Sequence, residues 1–227
     1  MNYLFRFSSY IITELMMLQK ERLTETIKLL QIHYDAYLQI KPYADKYGHP
    51  HPTDTRAWSQ ILVSALTGIP GMRRKKGSDL NDGSDVKAAN CWDAIDTPRF
   101  NGCIKSGTKQ SLTNPMSFLD SQPYLFFVMW DKTENTDEKR CRIWVVRTQH
   151  DTEFRDMAKK WYEKQDIGEI TSNNFQLHPP RNLDHNIFRN TYGNLKYPLL
   201  FEACVVDDKY QYKYLNEEVL NTGICTI

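Results

Sequence analysis

Cysteine is scarce and unpatterned in this chain: Cys91, Cys103, Cys141, Cys204 and Cys225 are odd in number and contain no CxxC pair. That argues against a disulfide framework or a zinc knuckle and points to a reducing compartment, the cytoplasm. No apolar run reaches the 18 residues of a membrane span. The apolar start MNYLFRFSSYIITELMMLQK is interrupted by Arg6 and Glu14 and lacks a small-residue cleavage site, so neither a membrane partner nor export is expected. Excess charge is lacking too. Twenty-nine Lys and Arg against 28 Asp and Glu leave +1, so a nucleic-acid partner must be argued from where the charges sit. Internal repeats and flexible linkers are absent, and ten Gly with ten Pro in 227 residues exclude collagen and low-complexity disorder. What remains is a globule with length for one large domain, able to bury ~70% of its surface without a metal or disulfide staple.

From Ile11 onward, Leu23, Ile27, Leu30, Tyr34 and Leu38 lay one apolar stripe along a long helix that Pro42 is expected to stop. Without sustained heptads the stripe reads as packing onto its own domain rather than as a dimer seam. Thr53, Asp54 and Thr55 are cap candidates for a second helix, with Trp58, Ile61, Leu62, Ala65 and Leu66 on one face and Gly68 and Pro70 at its end. Between Gly71 and Asn90, two strand-like pieces flank the turn signal Asn81-Asp82-Gly83 and read as a β-hairpin. An irregular stretch follows over 91–122, then strands over 124–130 and 140–147, the first buried on both faces. Phe154, Met157, Ala158, Trp161 and Tyr162 mark a helix that Gly168 breaks. A second irregular stretch, about 171–197, gives way to the strands LLFEACVV and YQYKYL. The order of elements makes the fold mixed α/β with a central sheet.

The hairpin carries the chemistry. In a strand, alternate side chains share a face, so Asp85 and Lys87 project together while Val86 turns to the core. Asp79 depends on the loop. A two-residue loop Asp82-Gly83 would pair Leu80 with Asp85 and turn Asp79 away. A three-residue loop Asn81-Asp82-Gly83, closed by glycine in the left-handed conformation, pairs Asp79 with Asp85 instead, and the glycine stands where that loop needs it. Opposed residues have Cβ atoms ~5 Å apart, close enough for two carboxylates to share one hard divalent cation.

This D-x5-D-x-K constellation, on a hairpin entered by a helix, resembles the active site of PD-(D/E)xK nucleases, and more narrowly of type II restriction endonucleases. The runs TDTRAWSQILVSALTGI and RKKGSDLNDGSDVKAANCWDAIDTPRFNGCIK, with NFQLHPPR and GNLKYPLLFEA later, are similar to the group that includes MamI and SwaI, and span much of 53–205. Ser78 stands where the superfamily name would place a proline. The resemblance implies a restriction-endonuclease-like core, a central mixed sheet flanked by helices, in one nuclease domain over 1–227. Residues 1–52 would be an N-terminal helical region and 53–227 the catalytic core with DNA-reading loop insertions. It implies Mg²⁺-dependent, sequence-specific hydrolysis of double-stranded DNA. Asp79 and Asp85 would ligate the metal, and Lys87 would orient the attacking water and offset charge on the crowded phosphate. One site per chain must serve two strands, so a homodimer is expected. A repair or junction nicking enzyme would use the same residues, and a noncatalytic DNA-binding module would make the acids structural. The intact acid pair and lysine favour an enzyme, and the two long irregular stretches favour a sequence-specific cutter.

Arg73, Arg74, Lys75 and Lys76 precede the site and could neutralise flanking phosphates. Residues 73–109 hold eight Lys or Arg against five Asp, a local +3. Candidate DNA contacts in the first irregular stretch are Asn90, Thr97, Arg99, Asn101 and Lys105. The second, over 171–198, holds six Asn and one Gln with Arg181 and Arg189, an amide-heavy inventory that leans toward adenine and so toward an A·T-containing target. Asp82 is expected to bond nearby backbone. His49 and His51 have metal-like spacing without a partner motif, His150 is a cap candidate for the helix after it, and His178 and His185 fall in the second stretch.

Overall fold

The computed structural model describes residues 2–49, 54–72, 77–93, 97–105, 114–180 and 186–219, with side chains from Met16 onward. The first helix, α1 (Asn2–Tyr47), has 46 residues and does not stop at Pro42 but runs through it. Proline costs a helix one hydrogen bond and crowds the preceding turn. Here Ala44, 8% exposed, is docked beyond the proline and holds the last turn in place. The true stop is Gly48 at φ +68, where the His49 N–H reaches the Ala44 carbonyl and the Gly48 N–H that of Asp45, the glycine-terminated Schellman geometry. As the stripe predicts, Leu30 and Tyr34 are buried and Leu23 and Ile27 pack beside them, but Leu38 is 40% exposed and Tyr37, outside the stripe, is buried in its place.

Helix α2 (Arg56–Thr67) ends at Gly68 in the left-handed conformation, as expected. Its buried face is the expected one only in part, since Leu62 and Leu66 are buried and Trp58 packs beside the core but the face is turned. Ser59, Leu62, Val63, Leu66 and Thr67 turn inward, whereas Ile61 is 51% exposed. The rotation has a polar cause: the Ser59 hydroxyl accepts the Trp130 indole N–H at 2.9 Å and donates to the Thr55 carbonyl at 2.8 Å, so a serine takes a core position without an unpaired group. Thr55 occupies the cap position without a side-chain cap bond, and Asp54 accepts the Arg56 N–H.

The central sheet has five strands in the order β1 (Asp85–Asn90), β2 (Leu125–Lys132), β3 (Lys139–Val146), β6 (Leu199–Val206), β7 (Lys209–Leu215). β1 and β2 are parallel and the remaining neighbours antiparallel, so the central sheet is mixed, as the resemblance implied. β6 and β7 join through Asp207 and Asp208, both at positive φ, the two-residue turn whose twist suits a hairpin. Strands β4 (Ile187–Asn190) and β5 (Gly193–Lys196) form a separate ribbon inside the second irregular stretch, where sequence pattern gave no strand.

Alternation along the strands splits the interior in two. Val86, Phe126, Val128, Trp130, Ile143 and Val145 face α1 and α2, and Phe127, Met129, Trp144 and Val146 face α4 (Thr152–Asp166) with the irregular stretches. α4 follows the short α3 (Ser117–Asp120) in chain order and is capped not by His150 but by Asp151, whose carboxylate accepts the Phe154 N–H at 2.7 Å. On the α1 side His33 sits among Trp58, Trp92 and Trp130, with ring centroids 5.2, 5.2 and 4.4 Å away, and burial pushes its imidazole down to about 4. Cys91, Cys103, Cys141 and Cys204 are free thiols. Among the described residues no helix is long and apolar enough to cross a membrane.

Candidate active site

The turn before β1 takes the three-residue form. The Leu80 N–H donates to the Ser84 carbonyl at 3.0 Å, which leaves Asn81, Asp82 and Gly83 as the loop, and Gly83 lies at φ +99. A Cβ at Gly83 would meet the Ser121 carbonyl at 2.8 Å, so both conformation and space demand glycine. Asp82 braces the turn, accepting the Ser84 N–H at 2.9 Å and its hydroxyl at 2.8 Å. The expected hairpin stops there. The segment before the turn makes one bridge, Leu80 to Gly71, and β1 takes its ladder from β2 in parallel, Asp85 opposite Leu125. Leu80 and Val86 are buried on the α1 and α2 side, Asp85 and Lys87 project from the other face of the edge strand β1, and Asp79 joins them in one cleft.

Asp79 Oδ2 accepts the Val86 N–H at 3.0 Å, and its carboxyl lies beside that of Asp85 in the wall of one cleft. Lys87 Nζ is 2.9 Å from Asp85 Oδ2. Two neighbouring carboxyls cannot both ionise freely. Burial, then the Asp85 carboxylate beside it, pushes Asp79 up to about 6. Burial also pushes Asp85 upward, but its bond with Asp79 and the Lys87 ammonium outweigh that and hold it below the usual range. The pair therefore holds one tightly ionised and one reluctant acid, a site that gains from an added cation.

The three side chains open on a cleft of about 370 Å³, which Asn90, Asn101 and Lys105 also line. Asn90 accepts the Trp92 N–H through its side chain, and Lys105 lies 4.5 Å over the Phe118 ring. Thr97 lines a different cleft of about 530 Å³, together with His178 and Arg189, while Arg99 is exposed and bonds the Thr97 carbonyl. Arg73, Arg74, Lys75, Lys76 and Arg181 lie outside the described residues, as do His51 and His185. His49 is exposed. The two irregular stretches are stitched together between the clefts: Phe100 bridges Leu177, and Asn174 bonds the Gly102 N–H and the Asn101 side chain.

Two polar cleft residues of α2, Arg56 and Gln60, escaped the sequence reading. Gln60 of α2 donates its amide to Asp79 Oδ1 at 2.8 Å. Its signal was a line of polar residues four apart, Arg56, Gln60 and Ser64, down a helix whose other polar residues are Ser59 and Thr67.

A second charged cluster sits further along the same side of the sheet. Arg140 grips Asp131 in a two-pronged bond, Nε to Oδ1 at 3.0 Å and Nη2 to Oδ2 at 2.6 Å. Arg142 Nη2 also reaches Asp131 Oδ2 at 2.6 Å and touches the Pro180 carbonyl at 3.4 Å, tying the second irregular stretch to β3.

Among the described residues no group of three or more His, Cys, Asp or Glu could hold a metal. The Asp79 and Asp85 pair nevertheless suits Mg²⁺, which commonly takes one or two carboxylates and completes its shell with water and substrate phosphate. Hard oxygen donors without thiolate or imidazole fit that ion rather than zinc.

A family model for the MamI restriction endonuclease matches residues 42–204, a segment that holds both clefts. The protein of Microbacterium ammoniaphilum named type II restriction enzyme MamI is 30% identical over 179 residues, 74% of this chain. The match spans 57% of that relative's own length. No solved structure matches the chain.

Proposed function

The chain belongs to the MamI restriction endonuclease family, and from that premise we propose that it is a type II restriction endonuclease, hydrolysing phosphodiester bonds of double-stranded DNA at a specific sequence with Mg²⁺. The observation that carries this reading is that Asp79 and Asp85 line the wall of one open cleft beside each other, with the Lys87 ammonium 2.9 Å from Asp85. Asp79 and Asp85 are the residues that would hold the cation. When bound there it supplies Lewis acidity, polarising the phosphoryl oxygen and activating water. Lys87, anchored on Asp85, orients the attacking water and offsets the charge that builds on the phosphate. Asn90, Asn101 and Lys105 line the same cleft, where DNA contacts would form, with Arg73, Arg74, Lys75 and Lys76 as flanking phosphate contacts. Thr97, Arg99 and Arg181 would serve DNA contact from the two irregular stretches.

On this reading residues 1–227 are one nuclease domain, 1–52 its helical region and 53–227 its catalytic core. A second copy of the chain supplies the cut on the other strand. The test is incubation with plasmid DNA and Mg²⁺, followed by sequencing of the ends. Fragments ending at one short sequence, absent in chelator, are expected. Robust cutting in EDTA, or ends scattered at random, would overturn the proposal, and sedimentation should give twice the chain mass.

A further inference from the structure

Asp79 is restrained on both oxygens. Oδ2 takes the Val86 N–H at 3.0 Å, a bond within the turn's own neighbourhood. Oδ1 takes the Gln60 amide at 2.8 Å, a bond that arrives from a separate element, 19 positions earlier in the chain. These two bonds fix the plane of the carboxylate, while each oxygen keeps a further lone pair for another partner. Gln60 lies half-buried in the cleft wall beside Asp79, Asp85 and Lys87, on a helix whose inner face is locked by Leu62, Val63 and Leu66. It is therefore a rigidly mounted donor aimed at a carboxylate. Its chemistry matters as much as its place. An amide is neutral and donates, so it steadies Asp79 without adding a third negative charge to two neighbouring acids. A glutamate there would repel Asp79 in the empty protein and offer a third anionic oxygen to a cation.

We propose that Gln60 is a positioning residue of the cleavage site: its amide orients the Asp79 carboxylate and keeps the acidic count at two, and so sets how tightly a divalent cation is held. This rests on the reading that Asp79 and Asp85 hold the metal. Partners that orient a metal ligand from outside typically change affinity 10- to 100-fold when removed, and added carboxylate charge raises it.

The experiment is calorimetric titration of Mn²⁺ into the full-length protein without DNA, beside the Mg²⁺ dependence of cleavage. Gln60→Met keeps the volume and loses the donor, and should bind Mn²⁺ roughly tenfold more weakly. Its cleavage should need correspondingly more Mg²⁺ and approach the wild-type rate at saturation. Gln60→Glu should bind Mn²⁺ tighter than wild type by about tenfold. Wild-type Mn²⁺ affinity in both variants would overturn the proposal, as would a rate loss in Gln60→Met that no Mg²⁺ concentration recovers. Should Gln60→Met fail to fold, the Gln60→Glu titration decides alone. If the wild type binds no Mn²⁺, or binds it undiminished after Asp79→Asn with Asp85→Asn, the metal assignment itself fails and this proposal falls with it.

Discussion

Two charged clusters share one side of the sheet, since Asp85 and Lys87 lie opposite Leu125 and Phe127, and alternation carries the same side on through Met129 to Asp131. They answer their charges differently. At Asp131 the acid is held between Arg140 and Arg142, and Glu202 lies 3.8 Å from Arg140, so two acids meet two bases. The three central side chains are 6, 7 and 1% exposed. Burial pulls Arg142 below its ordinary value, and Asp131 outweighs burial at Arg140 and raises it. At Asp79 and Asp85 two neighbouring acids line an open cleft, and Lys87 pairs with one of them. The closed cluster balances acids against bases within the chain and anchors Pro180. In the open one Lys87 alone pairs directly with an acid, Lys105 acts on Asp85 from further off, and the carboxyls face a cleft rather than a packed interior.

The contrast can be broken from either end, and the largest effect should come from the closed cluster. Asp131→Ala leaves two buried guanidinium groups without their acid and should cost about 3–5 kcal/mol of stability in urea unfolding. Asp79→Asn relieves a like-charge repulsion and should cost little or stabilise the metal-free protein. Equal losses in the two variants would erase the distinction. Next, Lys87→Ala should lower single-turnover cleavage by at least ~100-fold while leaving DNA affinity by gel shift nearly unchanged, because its charge acts on the transition state. Cleavage near the wild-type rate would remove Lys87 from the chemistry. Gly83→Val puts a branched side chain at positive φ against the Ser121 carbonyl and should cost about 2 kcal/mol or more, with loss of Mn²⁺ binding as the turn shifts.

The smallest effect concerns pH. Asp79 titrates near 6 in the folded chain, above its unfolded value of 3.8, so its stabilising contribution is full below about pH 4 and is lost as pH rises through 6. His33, depressed to about 4, works the other way, its contribution being lost as pH falls from 6.5. The difference between wild type and Asp79→Asn isolates the first: the variant's melting temperature, relative to wild type and without metal, should rise between pH 4 and 7. A flat difference would show that the two carboxyls do not press on each other.

What could be read in advance divides along the same physical line, between local and distant causes. Gly83 and Gly68 announced their turns because positive φ is a local demand, and Asp82 followed from turn chemistry. The strands β2 and β3 were legible from apolar runs. By contrast, the helix through Pro42 depends on Ala44 docking elsewhere, the rotated face of α2 depends on Trp130, and the ribbon β4–β5 depends on burying Phe188 and Leu195 under the sheet. At the candidate site the turn that brings Asp79 to Asp85 was legible, but the parallel partner of β1 and the Gln60 bond were not, because both are made by segments remote in sequence.

The parallel pairing of β1 also bears on the order in which the molecule comes together. Asp85 lies opposite Leu125, 40 positions further along, whereas β6 and β7 meet across two residues. Closing the long connection costs more chain entropy before any contact rewards it, so β1 is expected to join the sheet after the hairpins have formed. Pulse-labelled hydrogen exchange during refolding should then protect the amides of β6 and β7 before those of β1, and simultaneous protection would contradict it. Asp79 depends on the Val86 N–H for its placement beside Asp85. A chain still emerging from the ribosome would thus carry its acids unassembled until the last strand joined.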